Sequence, residues 1–272
     1  MTPLQRLQDL IRNAHGNLVT VGGMPEFTTL ENIRCLRGQR GDHDTGRDYV
    51  DAQCPKRGSA TWKRAMARVR AALAQAGIVL SSRPIGTGRY SSVFGIDGLP
   101  SLVAKVTVDR TEAAAWQWIL TQRRRGLGFS DRAAPALAKT FAVVALGFDP
   151  LCPLYLIVQQ RYAELPSSDQ ALIEEIAGDD GVWRMRSRPM AAHAKVTALA
   201  KRARRVTNKA AKVTDLMRTM QELASHNLVV HDIHGGNLMG DTARAPRRWH
   251  ITDLGICQAP MAVQVPIWSG PR

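Results

Sequence analysis

Long apolar runs, cysteines and aromatic side chains are all scarce in this chain of 272 residues. No stretch approaches the roughly 18 consecutive apolar residues of a membrane-spanning helix, so we expect no membrane partner. The first ten residues include an arginine and no uninterrupted apolar segment, which argues against a secretory signal. The cysteines, at positions 35, 54, 152 and 257, form no C-x-x-C pair. Such scatter is typical of a reducing compartment, so we expect a cytoplasmic protein.

Acidic residues are outnumbered by basic ones, 23 to 37, which gives a formal net charge of +14. A basic surface attracts phosphorylated ligands, acidic proteins or nucleic acid, and it also serves solubility. The stretch 195–212 is the most basic, and a solvated helix face is favoured there over docking of an acidic substrate or nucleic acid. It lacks interleaved aromatic residues for base stacking, so nucleic acid is the weaker alternative as a partner.

Residues 1–77 are predicted to form an N-terminal helical extension. The apolar residues at helical spacing near the start are Leu4, Leu7, Leu10 and Ile11. A polar, glycine-containing stretch at about 37–58 predicts a flexible loop, and Ser59 is a suitable cap for a second helix that ends near Ala76. Cys35, His43 and Cys54 match no compact zinc pattern.

Residues 78–272 are predicted to form a separate α+β domain. Short apolar or β-branched runs separated by Gly, Asp and Pro predict strands at 78–80, 93–96, 102–106, 141–146 and 154–158. Helices are predicted at 111–122, 169–177 and 191–226. Strands with one helix followed by helices indicate two unequal lobes, at about 78–160 and 161–272.

A glycine-containing turn lies between two of these predicted strands, at residues 85–93. Gly86 and Gly88 would let backbone N–H groups approach phosphate oxygens without an intervening Cβ. Taken alone, the pattern fits a plain hairpin turn better than a phosphate loop. Because a strand rather than a helix follows, it is not a dinucleotide-binding fingerprint.

Lys105 lies within the apolar run 103–106, twelve residues after Val93. A buried ammonium group is costly without an anionic partner, and a nucleotide phosphate would supply one. An edge lysine that reaches solvent is the alternative explanation for this residue alone.

A second polar motif follows the long predicted helix, at residues 229–239. Asp232 and Asn237 are five residues apart in a glycine-containing loop, so both side chains can turn toward one pocket. Sixteen residues after Asn237, an apolar strand ends in Asp253-Leu254-Gly255. Carboxylate and amide oxygens suit a hard cation such as Mg²⁺, and an aspartate can also accept a proton from a hydroxyl.

In combination, these motifs resemble those of the protein-kinase-like superfamily. Residues 86–93 are similar to its glycine-rich loop, with Ser91 in place of the third glycine, and Lys105 is similar to its strand lysine. Asp232 and Asn237 are similar to its catalytic loop, and residues 253–255 to its D-F-G motif. The loop also resembles the H-G-D-L-H-x-x-N of aminoglycoside and choline kinase-like enzymes. The resemblance covers about residues 78–260.

The resemblance implies a two-lobed kinase-like fold, with a small antiparallel-sheet N-lobe and a reduced helical C-lobe. It also implies an ATP- and Mg²⁺-dependent phosphotransferase. Residues implied to contact ATP are Gly86, Gly88, Ser91, Val93 and Lys105, with backbone groups near Gln160 and Tyr162 at the adenine. Asn237 and Asp253 are implied to hold Mg²⁺, and Asp232 to orient the acceptor hydroxyl and take its proton.

Four features depart from the pattern of ordinary protein kinases. Val230 and His231 stand where those enzymes usually have histidine and arginine. His234 matches the second histidine of the small-molecule kinases, and we expect it to support the loop. Glu112 follows Lys105 by only seven residues, so their pairing is left open, because a carboxylate near a helix N-terminus is also favoured by the helix dipole.

The fourth departure lies after Gly255, where 17 residues follow and no A-P-E motif is present. We therefore expect a reduced activation segment, as in a compact kinase-like protein of bacteria or their phages. The acceptor hydroxyl would belong to a protein, through serine/threonine kinase-like activity, or to a small molecule. The alternative is a catalytically silent kinase-like module that binds nucleotide or an acidic partner through its basic surface.

Overall fold

The computed structural model describes residues 1–14, 18–21, 58–88, 90–147, 154–177, 192–206, 211–226, 228, 230, 233–254 and 263–270. The α-helices in these residues are α1 (Pro3–Ala14), α2 (Ala60–Gln75), α3 (Arg110–Arg124), α4 (Ser167–Ala177), α5 (Ala192–Val206) and α6 (Ala211–Ser225). The strands are β1 (Leu18–Val21), β2 (Gly86–Thr87), β3 (Ser91–Ile96), β4 (Leu99–Thr107), β5 (Thr140–Leu146), β6 (Leu154–Gln160), β7 (Ala163–Glu164), β8 (Leu238–Gly240), β9 (Trp249–Ile251) and β10 (Val263–Trp268). A 3-10 turn, Gly235–Asn237, precedes β8.

The predicted α+β class is confirmed, but the main sheet is larger than expected and mixed. It has seven strands in the order β1-β10-β5-β6-β4-β3-β2. The strands of residues 78–160 pair antiparallel as expected. The sheet as a whole is mixed because β10, from late in the chain, pairs with β5 in parallel. β1 then pairs antiparallel with β10, so segments from the two ends of the chain extend the same sheet. A smaller antiparallel sheet has the order β7-β8-β9.

One face of the main sheet, which we call the outer face, is covered by α1 and α2. Leu7 and Leu10 of α1 share an apolar core with Trp62 and Leu73 of α2 and with Val106 of β4. The predicted cap of α2 is confirmed, since the Ser59 side chain accepts a hydrogen bond from the Trp62 N–H at 3.1 Å. Helices of the region 1–77 therefore pack directly on the sheet.

The opposite, inner face of the sheet packs on α3, and this apolar core continues into the remaining helices. Ile157 of β6 and Ile119 of α3 belong to the same buried cluster as Leu216 of α6 and Ile251 of β9. Residues 136–138 join the two sheets, because the Ile251 N–H donates to the Ala136 carbonyl at 2.7 Å and the Ala138 N–H donates to the Ile251 carbonyl at 3.1 Å. These bonds fix β9 relative to the main sheet.

The long helix predicted at 191–226 is two helices, α5 and α6, with residues 207–210 between them outside the described part. Val196, Leu199 and Ala203 of α5 face the core, as do Val213 and Leu216 of α6. The predicted loop at 37–58 lies outside the described residues except for Gly58. No helix of the described part combines the length and apolar character needed to cross a membrane.

Candidate functional site

Lys105 lies near the end of β4, which has a hydrogen-bonded strand on each side. Val93 of β3 is directly opposite it on one side and Ile157 of β6 on the other. Residues opposite each other in a sheet project from the same face, so this row of side chains lies on the inner face, toward α3. The Lys105 side chain is only 4% exposed. The alternative of an edge lysine in solvent is therefore excluded.

The glycine hairpin, residues 86–93, extends the same row. Gly86 is paired with Val93, so it extends the row by one position beyond Val93. The Gly88 N–H donates to the Ser91 carbonyl at 3.0 Å and closes the turn. The expected phosphate-binding residues of the hairpin thus lie one and two strands away from Lys105.

Glu112 pairs with Lys105, which answers the question that the sequence left open. The distance between Lys105 Nζ and Glu112 Oε1 is 2.5 Å, and both side chains are buried. The short spacing suffices because β4 ends at Thr107 and α3 begins at Arg110. The Asp109 carboxylate caps the helix by accepting from the Thr111 and Glu112 N–H groups. The first turn of α3 therefore brings Glu112 back over β4.

Asp253 comes from the smaller sheet and reaches the same ammonium group. Its Oδ2 lies 2.6 Å from Lys105 Nζ, and its side chain is 24% exposed, whereas Glu112 is almost fully buried. Lys105, Glu112 and Asp253 form what we call the lysine cluster. Its members come from a strand, a helix and a second sheet, and they lie up to 148 residues apart in the chain.

Asn237 is held beside Asp253 by the pairing of β8 with β9. Leu238 is opposite Ile251, so the residues just outside this pair, Asn237 and Thr252, are also adjacent. The Asn237 carbonyl accepts from the Thr252 N–H at 3.1 Å and from the Thr252 hydroxyl at 3.2 Å. The two predicted metal ligands are thus fixed as neighbours. Thr252 was not singled out in the sequence, since only the strand pairing reveals its contact.

The lysine cluster joins one ammonium group to two carboxyl groups. Burial alone lowers the pKa of Lys105, but the charges of Asp253 and Glu112 outweigh burial and raise its pKa overall, so the lysine stays protonated. Burial, followed by the charge of Asp253, raises the pKa of Glu112. Burial and the neighbouring Asp253 thus oppose ionisation of Glu112, while Lys105 keeps its proton.

The loop before Asn237 is held by its own backbone and by His234. The Gly236 N–H donates to His234 Nδ1 at 3.0 Å, and the Asn237 N–H donates to the His234 carbonyl at 2.9 Å. His234 is thus in contact with the loop it was expected to support. Asp232 and His231 lie outside the described residues.

Gln160 and Tyr162, expected near adenine, lie at and just beyond the end of β6. The Gln160 N–H donates to the Lys139 carbonyl at 2.9 Å, and the Tyr162 hydroxyl accepts from the Lys139 N–H at 3.0 Å. The Tyr162 ring stacks on His250 with 4.2 Å between ring centroids. The Gln160 N–H is therefore already engaged, and a contact with adenine would need other backbone groups in this segment.

The two predicted metal ligands at the candidate site, Asp253 and Asn237, offer oxygen donors. No group of three or more His, Cys, Asp or Glu side chains within the described ranges is arranged to hold a metal. Cys35, His43 and Cys54 lie outside those ranges. A site with one or two protein oxygens suits Mg²⁺, which usually completes its shell with water and substrate phosphates.

Comparison of the chain with protein-family models and with curated proteins gave no match.

Proposed function

We propose that the protein is an ATP- and Mg²⁺-dependent phosphotransferase with a two-lobed kinase-like fold. The observation that carries the proposal is the lysine cluster, in which Lys105 bonds both Glu112 and Asp253. A buried lysine between two carboxylates is costly as a purely structural device, since apolar residues of similar volume would often serve stability as well. Charges gathered from distant segments are typical of a site whose ligand is itself charged.

The residues at the site fit a nucleotide phosphate and a magnesium ion. Lys105 supplies the cation for phosphate oxygens beside the glycine hairpin, and Asp253 and Asn237 supply the oxygen ligands for the metal. Magnesium, when bound, neutralises charge on the phosphates during transfer.

The remaining roles follow from the loop 232–237. Asp232 would orient the acceptor hydroxyl and take its proton as the oxygen attacks the γ-phosphorus. The bond from that phosphorus to the leaving ADP oxygen then breaks. Catalysis of this kind depends on positioning and on charge stabilisation, and it requires no covalent intermediate with the protein.

The acceptor is a hydroxyl on a protein or on a small molecule. The net charge of +14 favours an acidic acceptor. Incubating the purified protein with γ-labelled ATP, Mg²⁺ and a host lysate would reveal the labelled product.

Two aspartate variants test the assigned roles. Asp253→Ala should lose Mg²⁺-dependent ATP binding, measured by calorimetry, whereas Asp232→Ala should keep binding and lose phosphate transfer. Asp97→Ala, at an exposed turn between β3 and β4, is the matched control and should change neither. Equal ATP binding by the Asp253 and Asp232 variants would contradict the roles. ATP binding without transfer by the unaltered protein would favour the silent module instead, and no ATP binding would overturn the proposal.

A further inference from the structure

Helix α4 contacts the loop 233–237 directly. The Gly235 N–H donates a hydrogen bond to Glu174 Oε1 at 3.0 Å. On the same side of the loop, a Cβ added to Gly235 would lie 3.0 Å from Cβ of Gln170 and 3.3 Å from its Cα. The loop therefore lies so close to α4 that a side chain at position 235 would push the loop and the helix apart.

Helix α4 is itself fixed to the elements that carry the metal ligands. Asp169, in its first turn, accepts hydrogen bonds from Lys212 of α6 at 2.6 Å and from the Trp249 indole N–H at 2.7 Å. Trp249 begins β9, the strand that leads to Thr252 and Asp253. Helix α4 thus contacts β9 through Asp169 and the loop through Glu174. These two residues are less than two helical turns apart.

Glu174 can influence the site through its hydrogen bond to the Gly235 N–H, and it contributes little to the packing of α4. Its side chain lies on the exposed face of α4, whereas Ile173 and Ile176 supply the buried contacts of the same turns. A carboxylate that accepts from a backbone N–H forms a charge-assisted bond, which is stronger than a neutral one. Two consecutive glycines, Gly235 and Gly236, give the loop more conformational freedom to lose, so one fixed bond has a large effect there.

We infer that Glu174 is a positioning residue, which holds the Gly235 amide so that Asn237 stays beside Asp253. This inference rests on the proposed function, because it assigns Glu174 to the metal and nucleotide site. In this role Glu174 itself contacts neither the metal nor the nucleotide. It acts through the backbone of the loop, in which Gly235 and Asn237 are only two residues apart.

The test compares Glu174→Ala with Glu174→Gln. Glutamine keeps an oxygen that can accept the Gly235 N–H, whereas alanine cannot. Glu175→Ala, at the exposed neighbouring position, is the matched control. The first readout is hydrogen exchange of the Gly235 amide by NMR, and the second is the affinity for Mn²⁺ in the presence of ATP. The unfolding midpoint is recorded for each variant.

We expect Glu174→Ala to speed exchange at Gly235 and to weaken Mn²⁺ binding about fivefold, the effect of one ordinary hydrogen bond. Glu174→Gln should restore most of both, and the unfolding midpoints should agree. Unchanged exchange in the alanine variant would overturn the contact. Faster exchange with unchanged Mn²⁺ affinity would overturn the positioning role, as would a loss of affinity that the glutamine variant does not restore. An unaltered protein that binds no Mn²⁺ with ATP would refute the proposed function, while the exchange data would still decide the contact.

Discussion

Lys105 is the charge on which the candidate site depends, and its removal has a predictable cost. Lys105→Met would leave Glu112, whose side chain is 2% exposed, without its cation. Breaking a buried ion pair in this way typically costs about 3–5 kcal/mol, because the remaining charge is uncompensated. We therefore expect a loss of that size in the free energy of unfolding, measured with urea.

Two further variants show whether that loss comes from the unpaired carboxylate. Adding Glu112→Gln to Lys105→Met removes the stranded charge and should recover part of the stability. Lys63→Met, at an exposed position of α2, should change the free energy by less than about 0.5 kcal/mol. A Lys105→Met protein as stable as the unaltered one would mean that the ion pair contributes nothing to the free energy of unfolding.

His250 should make stability depend on pH. Burial lowers its pKa from 6.5 to about 4, against an opposing effect of Asp241. Its Nδ1 is buried with no hydrogen-bond partner among the described residues. A depressed folded-state pKa means that the stabilising contribution is complete above about 6.5 and is lost as the pH falls toward about 4.

The matched variant for this prediction is His250→Gln. Between pH 7 and pH 5, the unaltered protein should lose about 1–2 kcal/mol more unfolding free energy than the variant, after allowance for partial exposure. The measurement is urea unfolding at several pH values. Parallel pH profiles for the two proteins would mean that His250 takes up its proton equally in the folded and unfolded states.

Individual site residues differed in how far the sequence could identify them. Lys105 and Asp253 stood out because each interrupts or ends an apolar strand, where a charge needs a reason. Thr252 and Glu174 carried no such signal, because a threonine in a strand and a glutamate on a helix surface are ordinary. Their roles arise from backbone contacts across 15 and 61 residues of chain, which no local pattern encodes.

Helix α1 is predicted to be an integral part of the folded core, and two leucines in it provide a matched test. Leu7 is 3% exposed and packs in the outer-face core, whereas Leu4, one turn earlier, is 45% exposed. Leu7→Ala should cost about 2–5 kcal/mol, the range for a buried leucine, and Leu4→Ala should cost far less. Chemical denaturation measures both. Equal, small effects would mean that α1 does not pack on the sheet.

Among the helices and strands, those with strong local patterns were predicted well. Ser59 caps α2, and the short apolar or β-branched runs at 102–106, 141–146 and 154–158 predicted β4, β5 and β6. By contrast, β1 and β10 were not predicted. Strand formation in such short segments depends on the neighbouring strand more than on their own residues. Residues 191–226 were predicted as one helix because apolar residues at helical spacing occur in both α5 and α6.

The main sheet contains strands from both ends of the chain, and two of its strands are close in sequence to residues of the candidate site. β10 follows Asp253 by fewer than ten intervening residues and pairs with β5, while β1 pairs with β10. The lysine cluster therefore has covalent and hydrogen-bonded connections to the main sheet on both sides, through β4 and through β10.

The dependence of β1 on β10 gives a final prediction. Val265 is fully buried and is paired with Val19 of β1, whereas the neighbouring Gln264 is exposed. Val265→Asp would bury a charge and should cost more than about 3 kcal/mol. It should also abolish the hydrogen-exchange protection of β1 amides, because within the described sheet β1 is paired with β10 alone. Gln264→Asp should leave that protection in place. Protected β1 amides in a destabilised Val265→Asp protein would mean that β1 is held by contacts other than its pairing with β10.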